Sequence, residues 1–130
     1  MSDYSERKKR GEDILKQLGW PSDAMDKTKE AFPDFWEMTV GHLFGDVWSR
    51  QGLSLREREL VTLAALIALA RPVGPIPHFQ NAAHIGITKE EILEVILQVG
   101  HYAGWNSAVH AIFQLTEALE EDDSESSKKS

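Results

Sequence analysis

Five histidines and no cysteine set the range of chemistry open to this 130-residue chain. Without a thiol it has no disulfide, no thiolate nucleophile and no thiolate metal ligand. It also lacks a Gly-rich phosphate loop, a Gly-x-Ser-x-Gly elbow and a pair of histidines at i, i+4. His78 and His84 are spaced so that one helix turns them to different sides. His42 and Asp46 stand at i, i+4, but two ligands make a poor metal site and an exposed ion pair is the expectation. No metal and no cofactor are therefore expected, and acid–base chemistry remains.

Glu59 lies at the start of the most apolar helical stretch, and His78 begins the next helix after a turn rich in Pro and Gly. Antiparallel helices bring such ends together. A carboxylate against an imidazole orients the ring and favours its protonated form, an arrangement suited to proton transfer near neutral pH. Spacing alone leaves a second reading open, with Glu59 a first-turn helix charge and His78 a satisfied, half-buried ring. Arg71 can grip a substrate carboxylate or simply complement the dipole at a helix C-terminus. His110 falls in the small-residue stretch Ser107-Ala108-Val109-His110-Ala111, while Trp48, Tyr102 and Trp105 read as core or interface aromatics.

The elements that must position these groups are helices. Ser54-Leu55-Arg56-Glu57 and Thr88-Lys89-Glu90-Glu91 are capping boxes. The first opens a helix to about Ala70, where Pro72, Gly74, Pro75 and Pro77 prevent continuation. Gly86 is a stop ahead of the second, after which Ile92, Val95, Ile96 and Val99 recur at helical spacing beside a stripe of Leu93 and Leu97. Asn106 or Ser107 caps a last helix to about Glu121. Upstream, 5–18 and the aromatic-rich 32–48 are also helical. No window alternates with period two, so the expected class is all-α.

Length and charge narrow the class further. The chain suits a single helical domain over 1–119, followed by a tail over 120–130 without an apolar residue, expected to be disordered. With 14 Lys and Arg against 21 Asp and Glu, the net charge is −7, which argues against nucleic acid as a partner. The basic run Arg7-Lys8-Lys9-Arg10, flanked by acids, reads as a solvated helix face. Residues 60–70 are apolar except Thr62, too short a run to span a bilayer, so no membrane partner is expected. A helix apolar on all sides is either central to the core or covered by neighbouring subunits. Residues 1–5 lack the apolar core of a signal peptide, and a cytoplasmic location is expected.

Several segments continue one another in register: Trp48-Ser49-Arg50-Gln51-Gly52-Leu53, then His78 with Ala82, Gly86, Thr88, Glu90, Glu91 and Ile92, then Gln98, Tyr102, Gly104 and His110-Ala111. In this order they resemble the carboxymuconolactone decarboxylase family, within the larger group that includes the alkylhydroperoxidase D proteins, from about 6 to 119. The first segment is similar to a Trp-Thr-Arg-Pro-Gly-Leu pattern, the second to His-x3-Ala-x3-Gly-x-Thr-x-Glu-Glu-Ile. The peroxidase branch carries its two cysteines at the positions of Arg71 and Gly74, so cysteine-dependent peroxidase activity is excluded here. The glutamate and histidine that assist those cysteines correspond to Glu59 and His78. The decarboxylases favour a Gly-x-Pro-Ala-Ala turn where this chain has Gly104-Trp105-Asn106-Ser107-Ala108.

The resemblance implies a compact fold of about six helices, alkylhydroperoxidase D-like, assembled as a homo-oligomer, a trimer or hexamer. It also implies a cofactor-free decarboxylase acting on a small anionic lactone or ring carboxylate. In that scheme His78 or His110 returns the proton or stabilises the developing oxyanion, Glu59 supports the imidazole, and Arg71 positions the carboxylate. Trp48 or Trp105 would line the pocket. Lactone hydrolysis, isomerisation, or a non-catalytic oligomer on the same fold stand as alternatives.

Overall fold

The computed structural model describes residues 3–129, with side chains through Asp122. Every regular element among them is helical, in keeping with the absence of period-two patterning. There are seven α-helices with one π-helical and one 3-10 segment, where the resemblance implied about six helices. The chain divides into two compact units, 1–55 and 56–130, where the sequence pattern suggested one domain over 1–119. Each unit has its own buried apolar residues, and the stretch 50–54, just before the division, is exposed and not helical.

In the first unit, α1 (Tyr4–Gln17) packs against a π-helix over Thr39–Val47, with α2 (Asp26–Ala31) and α3 (Pro33–Met38) between them in sequence. Asp3 caps α1, its carboxylate accepting from the Glu6 amide at 2.9 Å. Glycine makes the close crossing possible, since a Cβ on Gly11 would stand 1.8 Å from the Val40 carbonyl oxygen. Arg7 and Arg10, expected on a solvated face, instead reach the π-helix. Arg7 Nε donates to Asp46 Oδ2 at 2.9 Å, and Arg10 Nε to the Gly45 carbonyl at 3.1 Å. The two residues lie on one face of α1, three apart, opposite a single acid.

The second unit holds α4 (Leu55–Ala68), α5 (Pro75–Asn81), a 3-10 turn (Ala82–Ile85), α6 (Lys89–Ala103) and α7 (Trp105–Lys129). Leu63 and Ile67 of α4 pack into a core with Phe79, Ile92, Ile96 and Leu115. The opposite side is left open, for Val61 on α4 and Leu69 just past its end are 59 and 60% exposed. Thr88 and Glu91 form both bonds of the predicted capping box, at 3.1 and 3.0 Å. Gly86, at φ 80°, closes the preceding turn in the left-handed region where a side chain would be strained. Two bonds join α5 to α7, as Gln80 Nε2 donates to the Ala118 carbonyl and to Glu121. The α7 backbone continues to Lys129, where the sequence suggested a disordered tail from 120. No Gly or Pro interrupts that stretch, so the helix meets no stop signal. Ser130 lies outside the described residues.

The turn between α4 and α5 carries Arg71 and sets the direction in which α5 returns. The Arg71 amide donates to the Leu66 carbonyl at 3.2 Å and the Ala70 amide to the Ile67 carbonyl at 3.0 Å. This is the double closure of a Schellman motif, and it places Ala70 at φ 52°. A non-glycine residue there is strained by the close approach of its Cβ to the backbone. Pro75 then opens α5 at a position where its missing N–H costs nothing.

Candidate active site

Glu59, in the second turn of α4, is 2% exposed and is one of two buried polar residues in the chain's described part. His78, in the middle of α5, turns its ring onto it, with Nδ1 2.5 Å from Glu59 Oε1. The side chains are 3 and 14% exposed respectively. The pair brings together residues 19 apart on two different helices, as the antiparallel arrangement suggested. The site follows from the local sequence. The Pro-rich turn ends α4 and lets α5 return, and Glu59 lies on a helix that also contributes Leu63 and Ile67 to the core. The contact to Nδ1 fixes the orientation of the ring, as a carboxylate on one imidazole nitrogen does.

The other sequence-predicted residues occupy different settings. Arg71 lies in the turn after α4 and is exposed, and its guanidinium makes no hydrogen bond or ion pair among the described residues. His110 is half-buried on α7, likewise without a side-chain hydrogen bond among the described residues. Trp105 begins α7, 61% exposed, its ring edge-on to His101 at 5.2 Å between centroids. Trp48 belongs to the first unit, where it is buried, stacks on Phe44 at 5.9 Å and lines a cavity of about 420 Å³ with Arg10, Asp13 and Arg50. Of the six, Glu59 and His78 are the two that the structure joins by a hydrogen bond.

Sequence reasoning passed over two groups in the second unit. Gln114 is 4% exposed on α7, and its amide donates to the Arg71 carbonyl at 2.8 Å and to the Pro72 carbonyl at 3.0 Å. The signal was a polar residue inside the small apolar stripe of Ala111, Leu115 and Ala118. Arg56 pairs with Glu91, tying the start of α4 to the start of α6. The backbone amide of Thr88 and then Arg56 hold the Glu91 carboxyl below the usual carboxylate range.

Among the described residues no three His, Asp or Glu side chains converge as a metal site, and no helix is long and apolar enough to cross a membrane. What the pair can do is hold and move a proton, and what the exposed arginine at the end of α4 can do is meet an anion.

Comparison with known proteins adds two kinds of finding. The model of the carboxymuconolactone decarboxylase family matches residues 33–118. A 4-carboxymuconolactone decarboxylase of Acinetobacter baylyi is 40% identical over 80 residues, 59% of this chain and 60% of that protein. A nitrosuccinic acid decarboxylase of Metarhizium robertsii is 32% identical over 76 residues, 58% of this chain and 53% of that protein. The chain thus spans little more than half the length of these curated relatives.

Proposed function

This chain belongs to the carboxymuconolactone decarboxylase family, and we propose that it is a decarboxylase of a small anionic lactone, of the γ-carboxymuconolactone type, working without a cofactor on the alkylhydroperoxidase D-like fold. The observation that carries the reading is the Glu59–His78 contact, a buried carboxylate 2.5 Å from an imidazole. A buried polar side chain is retained at a cost in desolvation, which a purely structural residue in that core would have no need to bear. Support also comes from the names of both relatives, each a decarboxylase.

In γ-carboxymuconolactone the carboxylate sits on the saturated ring carbon beside a double bond that is conjugated with the lactone carbonyl. As the carbon–carboxylate bond breaks, its electron pair enters the ring, the double bond shifts, and negative charge gathers on the lactone oxygen. CO2 leaves, and a proton must then be added to ring carbon. In the proposed scheme Arg71 holds the departing carboxylate. His78, oriented by Glu59, delivers the proton through Nε2, and His110 donates to the lactone oxygen. A donor aimed at such developing charge supplies about 3 kcal/mol, and general acid catalysis about 10²–10⁴ in rate.

A second reading, a different small carboxylic acid, is favoured by the Gly104-Trp105-Asn106-Ser107-Ala108 turn, where the decarboxylases have Gly-x-Pro-Ala-Ala. The fungal relative is named for such an acid, nitrosuccinic acid. We also propose a homo-oligomer, trimer or hexamer, because Val73, Tyr102 and Phe113 stand 74, 86 and 69% exposed in the protomer. Sedimentation as a monomer at micromolar concentration would remove that part of the proposal.

The test is to generate γ-carboxymuconolactone in situ and follow its ultraviolet absorbance together with released CO2. Turnover with CO2, abolished in His78→Ala, is the expected result. Absorbance loss without CO2 would point to lactone hydrolysis or isomerisation. No change of either kind, in a correctly folded protein, would send the search to other small carboxylic acids.

A further inference from the structure

Gln114 presents an anomaly that the reaction scheme leaves unused. It is buried to 4% on a helix face otherwise built of Ala111, Leu115 and Ala118, a setting in which a polar side chain is costly unless both its hydrogens are bonded. Both bonds are made, and both go outside its own helix, to the carbonyls of Arg71 at 2.8 Å and Pro72 at 3.0 Å. Arg71 and Pro72 are themselves exposed residues, so these two bonds, rather than packing of their side chains, hold the carbonyls in place.

The geometry points to Gln114 as a positioning residue for Arg71. The Schellman closure fixes the amide of Arg71 on Leu66. Gln114 fixes the two carbonyls that come after it. Pro72 fixes its own φ through its ring. The backbone of Arg71 is thereby constrained on both sides, in a turn whose neighbouring Ala70 already sits in a strained conformation at φ 52°. The side chain leaving that backbone is the guanidinium that the proposed function assigns to the substrate carboxylate, so this inference rests on that reading. His110 lies one helical turn before Gln114, on the same side of α7, so the helix that clamps the arginine's backbone also carries the second imidazole.

The carboxylate that Arg71 would hold is present in the ground state and departs as CO2. Loosening the arginine should weaken substrate binding more than it slows the chemical step. Steady-state kinetics on γ-carboxymuconolactone are measured for the wild type, Gln114→Met, Arg71→Ala and the double variant. Met keeps the length and bulk of Gln and removes the two donors. Q114M is expected to raise KM about tenfold with kcat within about twofold, at an unchanged circular dichroism spectrum. The double variant should be no worse than R71A alone, because the two changes remove one function.

An unchanged KM in Q114M, or an effect that multiplies with that of R71A, would overturn the inference and leave Gln114 a packing residue. Should Q114M fail to fold, Gln114→Asn serves in its place, for its amide is one methylene too short to reach both carbonyls. A separate binding arm uses the saturated lactone dicarboxylate, which cannot decarboxylate because it lacks the ring double bond. If the wild type binds it but turns over no lactone, the decarboxylase reading fails. The inference then stands on a tenfold weaker Kd in Q114M and falls on an equal one. A wild type that does neither removes both.

Discussion

Among the described residues two histidine–carboxylate pairs occur, and almost everything about them differs. His42 and Asp46 sit at i, i+4 on the π-helix, 3.3 Å apart, with side chains 66 and 32% exposed. His78 and Glu59 come from different helices, stand 2.5 Å apart and are 14 and 3% exposed. Asp46 is also shared with Arg7 and Arg10 at 2.9 and 3.2 Å, so the histidine there is the third and longest of its partners. Glu59 shows only the imidazole as an ion-pair partner among the described residues. The same two functional groups therefore serve different ends. In the exposed pair water and two arginines satisfy the acid, and the ring adds little. In the buried pair the carboxylate has almost no water to fall back on, so each side chain fixes the orientation of the other.

The sharpest way to break this contrast is to remove one partner from each pair. Glu59→Ala should lower stability by about 3–5 kcal/mol and abolish turnover, since it strands a buried imidazole and opens a small cavity. Asp46→Ala should leave turnover within about twofold. Equal losses in the two variants, measured by thermal unfolding and CO2 release, would show that burial is not what separates them.

Removing charge while keeping shape sharpens the point. Glu59→Gln retains a hydrogen-bonding group beside Nδ1 but cannot support a protonated ring. Turnover should fall about 10²-fold, with a circular dichroism spectrum like that of the wild type. His78→Gln should fall at least as far. If Glu59→Gln were as active as the wild type, the acid would serve the fold alone, and the pair would be no more than a satisfied contact inside it.

How far the sequence foretold this contrast depends on which pair is considered. The i, i+4 contact of His42 with Asp46 is local and follows from helical spacing alone. Glu59 and His78 were proposed as partners from helix order, but the burial of the pair depends on the packing of separate helices, which no local rule supplies. Capping signals placed α6 to the residue, because Thr88 and Glu91 satisfy each other's backbone within one turn. The arginines of α1 read as solvated because their partner Asp46 lies on an element 36 to 39 residues away. Gln114 was missed for the same reason, as its acceptors are carbonyls 42 and 43 residues back. The persistence of α7 beyond Glu120 follows from the absence of a breaker, which outweighs the absence of apolar residues as a local signal.

The exposed cluster has its own signature in pH. Asp46 is held below the usual carboxylate range chiefly by its hydrogen bond from Arg7, against an opposing push from desolvation, with His42 and Arg10 adding smaller pulls downward. A depressed pKa in the folded state means that the cluster's contribution is complete above the unfolded carboxyl value, about 3.9, and is lost as the pH falls through the lower folded one. Asp46→Asn should therefore melt slightly below the wild type at pH 7, and the two melting curves should converge in the acid range. Added salt should narrow the difference at neutral pH, because exposed charges are screened. A gap between the two proteins that widened on acidification would contradict the assigned direction.

The smallest effect belongs to His42. Its ring is two-thirds exposed and its acid already has two arginines, so deleting it takes away a contact that water replaces. His42→Ala should leave both the melting temperature at pH 7 and the turnover of the lactone unchanged within error. A large loss at neutral pH would mean that the ring holds the π-helix by something other than its charge, and the contrast between the two pairs would then be one of degree.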